Sequence, residues 1–281
     1  MKINRHNIRN GLKSLWLYFY YLSSDSGIFH GHDKFTKFII LSGPRSGTNY
    51  LRSALNMHSR VFVFGELFRF RNSIGWDFWA FNKLPLINNI KIELAETSPE
   101  IFLKYHVFRP PPLKFSSVGF KIFYFHAKND SRYKVWEYLI RNKDIKIIHL
   151  KRQNMLRTFL SHRRALQTEN WVDVSGKSKK PPAMIINPDE CKNFFNRMEN
   201  WQSEHDNVFS SHPNIEILYE NMVANREKEF SRVQDFLQVK KIKIKPSTFK
   251  QSKASLSDDI LNFDDLENEF KGTRWESFFH E

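Results

Sequence analysis

The stretch that decides the fold of this chain is Phe38-Ile39-Ile40-Leu41-Ser42-Gly43-Pro44-Arg45-Ser46-Gly47-Thr48-Asn49-Tyr50-Leu51. Its first four residues are apolar and partly β-branched, as in a buried strand, and a turn rich in Ser, Gly and Pro follows them. Apolar residues then return at helical spacing, at Leu51, Ala54 and Leu55. The stretch therefore predicts a strand, a tight loop and a helix. Glycines let the N–H groups of such a loop converge, and the helix N-terminus favours negative charge, so we expect an anion-binding site.

The loop differs from the P-loop of ATP-binding proteins. That motif, Gly-x-x-x-x-Gly-Lys-[Ser/Thr], requires a lysine after its second glycine, and Thr48 stands at this position. Arg45 supplies a permanent cation instead, and its planar guanidinium suits the oxygens of phosphate or sulfate. Because no metal-binding acid is evident on a following strand, Mg-NTP chemistry is disfavoured, and we predict no metal.

Length and charge limit the classes of protein to consider. The 281 residues fit one large α/β domain. The chain has 44 lysines and arginines against 30 acidic residues, and its net charge of +14 suits nucleic acid, an anionic membrane or an anionic cofactor. The single cysteine, Cys191, excludes an intramolecular disulfide and a cysteine-cluster metal site.

Residues 1–35 are predicted to form a helical extension ahead of a domain over residues 36–281. The extension begins with four basic residues, Lys2, Arg5, Arg9 and Lys13. The aromatic run over 15–22 is too short for a bilayer, which needs about 20 apolar residues, and no signal-peptide cleavage site follows it. Two alternatives stay open, a helix packed on the domain and a helix lying on a membrane surface. We expect a cytoplasmic protein, with peripheral membrane contact left open.

The rest of the chain alternates between strand and helix patterns. Further strands are predicted at 61–64, 118–125, 145–150 and 215–219. Further helices are predicted at 97–105, 131–142, 188–209 and 227–237, and another follows Arg152 and carries Met155, Leu156, Phe159 and Leu160. This alternation predicts an α/β fold of three αβα layers around a mainly parallel sheet. The binding loops should then share one rim, after Leu41, Phe64, Phe125 and Leu150. The aromatic stretch from Phe70 to Phe81 suits a sugar-stacking surface and core packing equally.

A second informative stretch runs from His149 to Ser161. Its strand delivers Arg152 to the predicted rim, and Ser161 lies about two and a half turns along the helix that follows. The apolar residues of that helix bury one face, which should leave Arg157, Ser161 and Arg164 on others. Together with the first loop, the stretch predicts two anion sites at neighbouring strand ends, as a ligand with two phosphate-bearing ends would need.

Both stretches resemble one enzyme family. Pro44-Arg45-Ser46-Gly47-Thr48-Asn49 is similar to the 5′-phosphosulfate loop of sulfotransferases that use 3′-phosphoadenosine 5′-phosphosulfate (PAPS). The pattern Leu-x-Arg-x-Asn-x-Leu-Arg-x-x-x-Ser, ending at Ser161, resembles their 3′-phosphate signature, in the form found in bacterial nodulation-factor and trehalose sulfotransferases. The resemblance covers the chain from about residue 37 onwards. It implies a P-loop-NTPase-like sulfotransferase fold, PAPS as donor, 3′-phosphoadenosine 5′-phosphate (PAP) as product, and no metal.

The resemblance also implies roles for individual residues. The 5′-phosphosulfate would be bound by Pro44, Arg45, Ser46, Gly47, Thr48 and Asn49. The 3′-phosphate would be bound by Arg152 and Ser161, and Lys250 in the C-terminal tail could add a further cation there.

Sulfuryl transfer needs a group that takes the proton of the acceptor hydroxyl. Glu66 follows the second strand, and we expect it directly beside the phosphosulfate loop; Gly65-Glu66-Leu67-Phe68 matches the segment in which the trehalose-type enzymes place their proposed base. His106 is the rival base, because Lys104-Tyr105-His106 is similar to the Lys-x-His of animal cytosolic enzymes. Arg45 and Lys121 are the cations expected at the sulfuryl group.

The sequence thus predicts a PAPS-dependent sulfotransferase that acts on a hydroxyl of a carbohydrate or glycolipid. A nucleotide-dependent kinase and a basic nucleic-acid-binding protein are the alternatives. The missing P-loop lysine disfavours the first. The second is disfavoured because the chain lacks zinc-finger spacing, the aromatic signature of an RNA-recognition motif and an obvious recognition helix.

Overall fold

The computed structural model describes residues 5–29, 31–78, 88–128, 130–169, 182–244 and 255–280, with the side chains of all of these except 5–14 and 88. Lys250, expected at the 3′-phosphate, lies outside the described residues.

The described residues alternate between strands and helices. The strands are β1 (Thr36–Ser42), β2 (Val61–Glu66), β3 (Ser117–Phe123), β4 (Lys146–Lys151) and β5 (Asn214–Leu218). The α-helices are α1 (Arg5–Asp25), α2 (Thr48–Met57), α3 (Asn88–Thr97), α4 (Pro99–Phe102), α5 (Lys134–Arg141), α6 (Met155–Thr168), α7 (Pro188–Val208), α8 (Tyr219–Ala224), α9 (Arg226–Phe236), α10 (Leu256–Asp259) and α11 (Phe263–Phe270). Other helical segments are a π-helix, Leu103–Val107, and two 3₁₀-helices, Ser131–Tyr133 and Glu276–Phe278.

The strands form one parallel sheet in the order β2-β3-β1-β4-β5. The carboxyl ends of parallel strands meet at one edge, where the loops of such sheets bind ligands. Ser42, the last residue of β1, pairs with Phe123 of β3 on one side and Leu150 of β4 on the other. The rim predicted from the sequence is therefore present, and β1 and β4 are neighbours as the two anion sites require.

Each face of the sheet has its own apolar core, because successive side chains of a strand point to opposite faces. Ile39 and Leu41 of β1 belong to the larger cluster, which includes residues of α1, α5, α6 and α7. Phe38 and Ile40 belong to the smaller cluster, which includes residues of α2, α8 and α9. Helices thus cover both faces, and the predicted three-layer αβα fold is confirmed.

Helix α1 packs against this domain through its second half. Leu17 and Tyr21 are buried in the same cluster as Phe64 of β2, and the Tyr20 hydroxyl donates to the carbonyl of Pro110 at 2.9 Å. Residues 15–25 therefore form a helix packed on the domain, the first of the two alternatives.

Two aromatic side chains of α1 are partly exposed: Trp16 (44%), whose ring also lies 6.1 Å from that of Phe115, and Phe19 (59%). Membrane contact there stays a prediction, as does the domain boundary near residue 35. Among the described helices, none combines the length and apolarity needed to cross a bilayer.

The helix expected over 97–105 begins at Pro99, with Ser98 as its N-cap, and continues directly beyond α4 as the π-helix Leu103–Val107. Proline lacks an N–H and favours the first turn of a helix over its interior. In the aromatic stretch, Trp76 is 1% exposed and packs in the core, whereas Phe70 is 59% exposed. Residues 79–81 of that stretch lie outside the described part of the chain.

Candidate active site

The loop between β1 and α2 leaves its backbone N–H groups free of side-chain caps. Gly47 is the N-cap of α2 and has φ of 89°, in the left-handed region, and no side chain caps the helix. A Cβ on Gly47 would lie 2.3 Å from the Tyr219 ring, so only glycine allows this close approach. Arg45 also has positive φ, 62°. The first turn of α2 therefore offers N–H groups and the positive end of its dipole to an anion.

Two arginines from different strand ends meet at this loop. Arg45 Nε donates to Ser161 Oγ of α6 at 2.9 Å, and Arg152, after β4, donates from a terminal nitrogen to the Arg45 carbonyl at 3.3 Å. The Arg152 guanidinium lies over the Tyr219 ring at 4.9 Å. Burial, and next the positive charge of Arg152, lower the pKa of Arg45 to about 10. Two cations held this close favour an anion between or beside them.

Two buried polar atoms at the loop have no hydrogen-bond partner among the described residues. They are Ser46 Oγ and Arg152 Nε; the nearest carboxylate oxygen to the latter, on Glu220, is 3.9 Å away, too far for a hydrogen bond. Leaving such a buried donor unpaired costs about 1–3 kcal/mol, and more for a charged one. Oxygens of a bound phosphate or sulfate would satisfy both atoms, so these residues fit the phosphate groups of a nucleotide donor.

A lysine links this loop to the proposed base. Lys121 Nζ in β3 donates to Glu66 Oε1 at 3.1 Å and to Asn49 Oδ1 of α2 at 2.5 Å. Lys121 is 1% exposed, and burial lowers its pKa while Glu66 and then Asp77 oppose the shift. The expectation that Glu66 lies directly beside the loop is wrong, because β3 stands between β2 and β1. Lys121 bridges that gap.

Comparison with known proteins finds relatives of one kind. Nodulation protein H of Rhizobium tropici is 27% identical over 248 residues, covering 86% of this chain and 92% of that protein. Nodulation protein H of Rhizobium meliloti (strain 1021) is 26% identical over 247 residues, covering 86% of this chain and 94% of that protein. This chain is a relative of nodulation protein H. The predicted resemblance to the nodulation-type sulfotransferases is confirmed.

Comparisons with family models and with solved structures do not extend this relationship. No protein-family model matches the sequence. The crystal structure of a sulfotransferase from Alicyclobacillus acidocaldarius is similar, with a TM-score of 0.45 and 13% identity, covering 88% of this chain and 96% of that one. A likeness at that level adds nothing to the sequence relationship.

Glu66 has neighbours that the sequence did not reveal. His126 Nε2 and Arg69 Nε each lie 3.8 Å from Glu66 Oε2. The backbone N–H of Phe123 donates to His126 Nδ1 at 3.2 Å, so the ring proton is on Nε2, the nitrogen facing Glu66. Burial, and next Lys121, lower the pKa of His126 to about 3, which keeps the ring neutral.

A chain of hydrogen bonds from Tyr124 through His149 to the half-exposed Asp206 holds the start of the loop. Tyr124 donates its hydroxyl hydrogen to His149 Nε2 at 2.7 Å, and His149 Nδ1 donates to Asp206 Oδ1 at 2.9 Å. The Tyr124 oxygen also forms a hydrogen bond with the backbone of Gly43. Burial lowers the pKa of His149 to about 4, and a neutral ring suits this one-way chain of donors. No sequence pattern pointed to these hydrogen bonds, because the residues that form them lie far apart in the sequence.

His106, the rival base, lies beside Asp25 and not at the loop with Glu66. It lies on the π-helix, with its Nδ1 3.8 Å from Asp25 Oδ1 at the end of α1. Asp25 is paired there with Lys91 at 2.8 Å and with Arg109 at 2.6 Å. Burial, and next Lys91, lower the pKa of His106 to about 4. None of the contacts of the described residues joins His106 to Glu66, so the structure does not bring the rival base to the loop.

The C-terminal segment packs against α6 beside the loop. Asp259, 1% exposed, pairs with Arg164 at 2.7 Å and lies 3.9 Å from Arg157. The side-chain amide of Asn154 donates to the carbonyl of Phe278 at 2.9 Å. In the described part of the chain, no group of three or more His, Cys, Asp or Glu residues could hold a metal; the absence of a metal stays a prediction.

Proposed function

We propose that this protein transfers a sulfuryl group from PAPS to a hydroxyl of a carbohydrate or glycolipid. The observation that carries the proposal is the meeting of two anion-binding groups at neighbouring strand ends. One group is the loop with Arg45 and Ser46, and the other is Arg152 with Ser161; Arg45 contacts both of these residues. The relatives named nodulation protein H support the sulfotransferase activity.

The chain has a separate set of residues for each end of the donor. The loop N–H groups, Ser46 and Arg45 would hold the 5′-phosphosulfate, and Arg152 and Ser161 would hold the 3′-phosphate. When bound, PAPS supplies a sulfuryl group attached to a phosphate that leaves with the bond's electron pair.

Glu66 would act as the general base, and Lys121 would stabilise the charge of the leaving nucleotide. Glu66 accepts the proton of the acceptor hydroxyl while that oxygen bonds to sulfur, and the bond between sulfur and the nucleotide oxygen breaks. Lys121, whose ammonium joins Glu66 to Asn49 of the loop helix, supplies positive charge against the negative charge that the nucleotide gains. The products are a sulfate ester and PAP, and the proton stays on Glu66 until solvent removes it.

The choice of base is tested with Glu66→Gln and His106→Ala. We expect Glu66→Gln to lower kcat by about 10²- to 10⁴-fold, the usual contribution of a general base, while PAP binding persists. His106→Ala should leave kcat within a few-fold, because His106 lies with Asp25 and Lys91. Release of PAP and formation of sulfated product are followed by mass spectrometry with a panel of neutral oligosaccharides.

Glu227→Gln is the matched control, since Glu227 is an exposed glutamate paired with Lys243. Loss of turnover in His106→Ala but not in Glu66→Gln would contradict the assignment. Failure of the unaltered protein to sulfate any acceptor would contradict the proposed function.

A further inference from the structure

A second carboxylate lies at the mouth of the Lys121–Glu66 pair. Asp77 Oδ2 is 3.8 Å from Lys121 Nζ. The side chains of Lys121, Glu66 and Asp77 are 1%, 13% and 44% exposed, so exposure rises stepwise from the lysine outwards. A molecule that approaches Glu66 from solvent therefore has the Asp77 carboxylate beside its path.

Contacts with Arg52, the space beside Gly65 and its own backbone conformation fix the position of Asp77. Arg52 of α2 donates to the Asp77 carbonyl at 3.1 Å and pairs with its Oδ2 at 3.4 Å. Gly65 makes room, because a Cβ there would lie 2.4 Å from the Asp77 carboxylate. The backbone of Asp77 is left-handed, with φ of 53°, a conformation that aspartate and asparagine tolerate better than most residues.

The other charges around the pair are already engaged. Arg69 lies 3.8 Å from Glu66 Oε2 and 4.6 Å above the ring of Phe70. Arg52 also donates to the carbonyls of Val63 and Phe64. Oδ2 makes the ion-pair contacts of Asp77 with Arg52 and Lys121, and the Asp77 side chain is still 44% exposed, so part of its carboxylate can meet a ligand.

We infer that Asp77 binds the acceptor, by accepting hydrogen bonds from hydroxyls next to the one that is sulfated, and that it selects neutral polyhydroxyl acceptors over acidic ones. The inference rests on the proposed sulfotransferase function. A carboxylate accepts well from neighbouring sugar hydroxyls. A carboxylate on the acceptor has no hydrogen to donate to Asp77, and Asp77, the more exposed of the two carboxylates, would be the negative charge it meets first.

The test compares Asp77→Asn with the unaltered protein on cellobiose, lactose and maltose, and on the same disaccharides oxidised to a uronic acid on one ring. Asparagine keeps the size of the side chain and tolerates the left-handed backbone, so the variant should fold. We expect the acceptor KM to rise about tenfold to a hundredfold, as when a hydrogen bond to a charged group is lost. The use of uronic acids relative to neutral sugars should rise, and the Kd for PAP should stay within about twofold.

Asp144→Asn is the matched control, because Asp144 is an exposed aspartate paired with Lys37 far along the sheet from the rim. If the unaltered protein does not bind PAP, the proposed function fails. If it binds PAP and turns over but Asp77→Asn leaves the acceptor KM and the selectivity unchanged, the inference fails alone. A variant that weakens PAP binding as much as acceptor binding would also overturn the inference, as would an unaltered protein that prefers uronic acids or sulfates none of the neutral sugars.

Discussion

Gly47 shows how much of the site depends on single backbone positions. Its φ of 89° lies in the region that L-residues with a side chain rarely adopt, and the Tyr219 ring fills the space where a Cβ would stand. The same ring lies under the Arg152 guanidinium. A side chain at position 47 would therefore strain the backbone and push Tyr219, and with it Arg152, away from the loop.

Gly47→Ala should weaken PAP binding at least tenfold and destabilise the fold by roughly 1 kcal/mol or more, the cost of a left-handed backbone for a non-glycine residue. Gly27→Ala is the matched control, because Gly27 has φ of 74° but no atom lies within 4 Å of the place that a Cβ would take. Calorimetric titration with PAP and thermal unfolding of both variants provide the measurements. Equal loss of PAP affinity in the two variants would show that the contact with Tyr219 is irrelevant.

Among the elements, β3 was the one whose position the sequence did not predict. The strand patterns are local and reveal β1 to β5, but the order of parallel strands depends on how the crossover connections pack. The insertion of β3 between β2 and β1 turns Lys121 into the link between Glu66 and Asn49. The sequence predicted Lys121 as a cation at the sulfuryl group but not as this link.

Helix α1 combines a buried side with an exposed aromatic side. Leu17 and Tyr21 pack in the core, whereas Trp16 and Phe19 are 44% and 59% exposed. The first 14 residues of the chain carry Lys2, Arg5, Arg9 and Lys13 and no acidic residue. We propose that this side of α1 contacts an anionic membrane surface, since basic residues beside aromatic ones suit anionic lipid headgroups.

Replacing Trp16 and Phe19 by serine should lower co-sedimentation with vesicles that contain phosphatidylserine by about tenfold or more, because the apolar contribution to binding is lost. Substitution is preferred to truncation, since residues 17–21 belong to the core. Leu166→Ser, at another exposed apolar side chain, is the matched control. Binding that is unchanged in the double variant, or equal on neutral phosphatidylcholine vesicles, would contradict the membrane contact.

The sequence predicted the parts of the site that lie within a single continuous stretch. The loop over 43–49 and the Arg152–Ser161 pair follow from local patterns, and the structure brings them together. His126 and Asp77 were missed because their importance comes from contacts across strands with Glu66 and Lys121. No local pattern distinguishes such a histidine or aspartate from an ordinary one.

At the scale of the whole molecule, four parallel strands end at one rim and deliver the groups that the proposed transfer would use. β1 and β4 bring the loop and Arg152, and β2 and β3 bring Glu66 and Lys121. The net charge of +14 agrees with an anionic donor but also with the nucleic-acid-binding alternative. The central claim is therefore that the rim recognises a nucleotide through its 3′-phosphate, which neither alternative requires.

Calorimetric titration with PAP, with AMP and ATP as comparisons and with and without magnesium, tests this claim most directly. We predict tight, magnesium-independent binding of PAP that needs the 3′-phosphate. The binding should disappear in Arg152→Ala and persist in Arg226→Ala, which alters an exposed arginine of α9. Absence of PAP binding, or a preference for ATP with magnesium, would contradict the account and favour the kinase alternative.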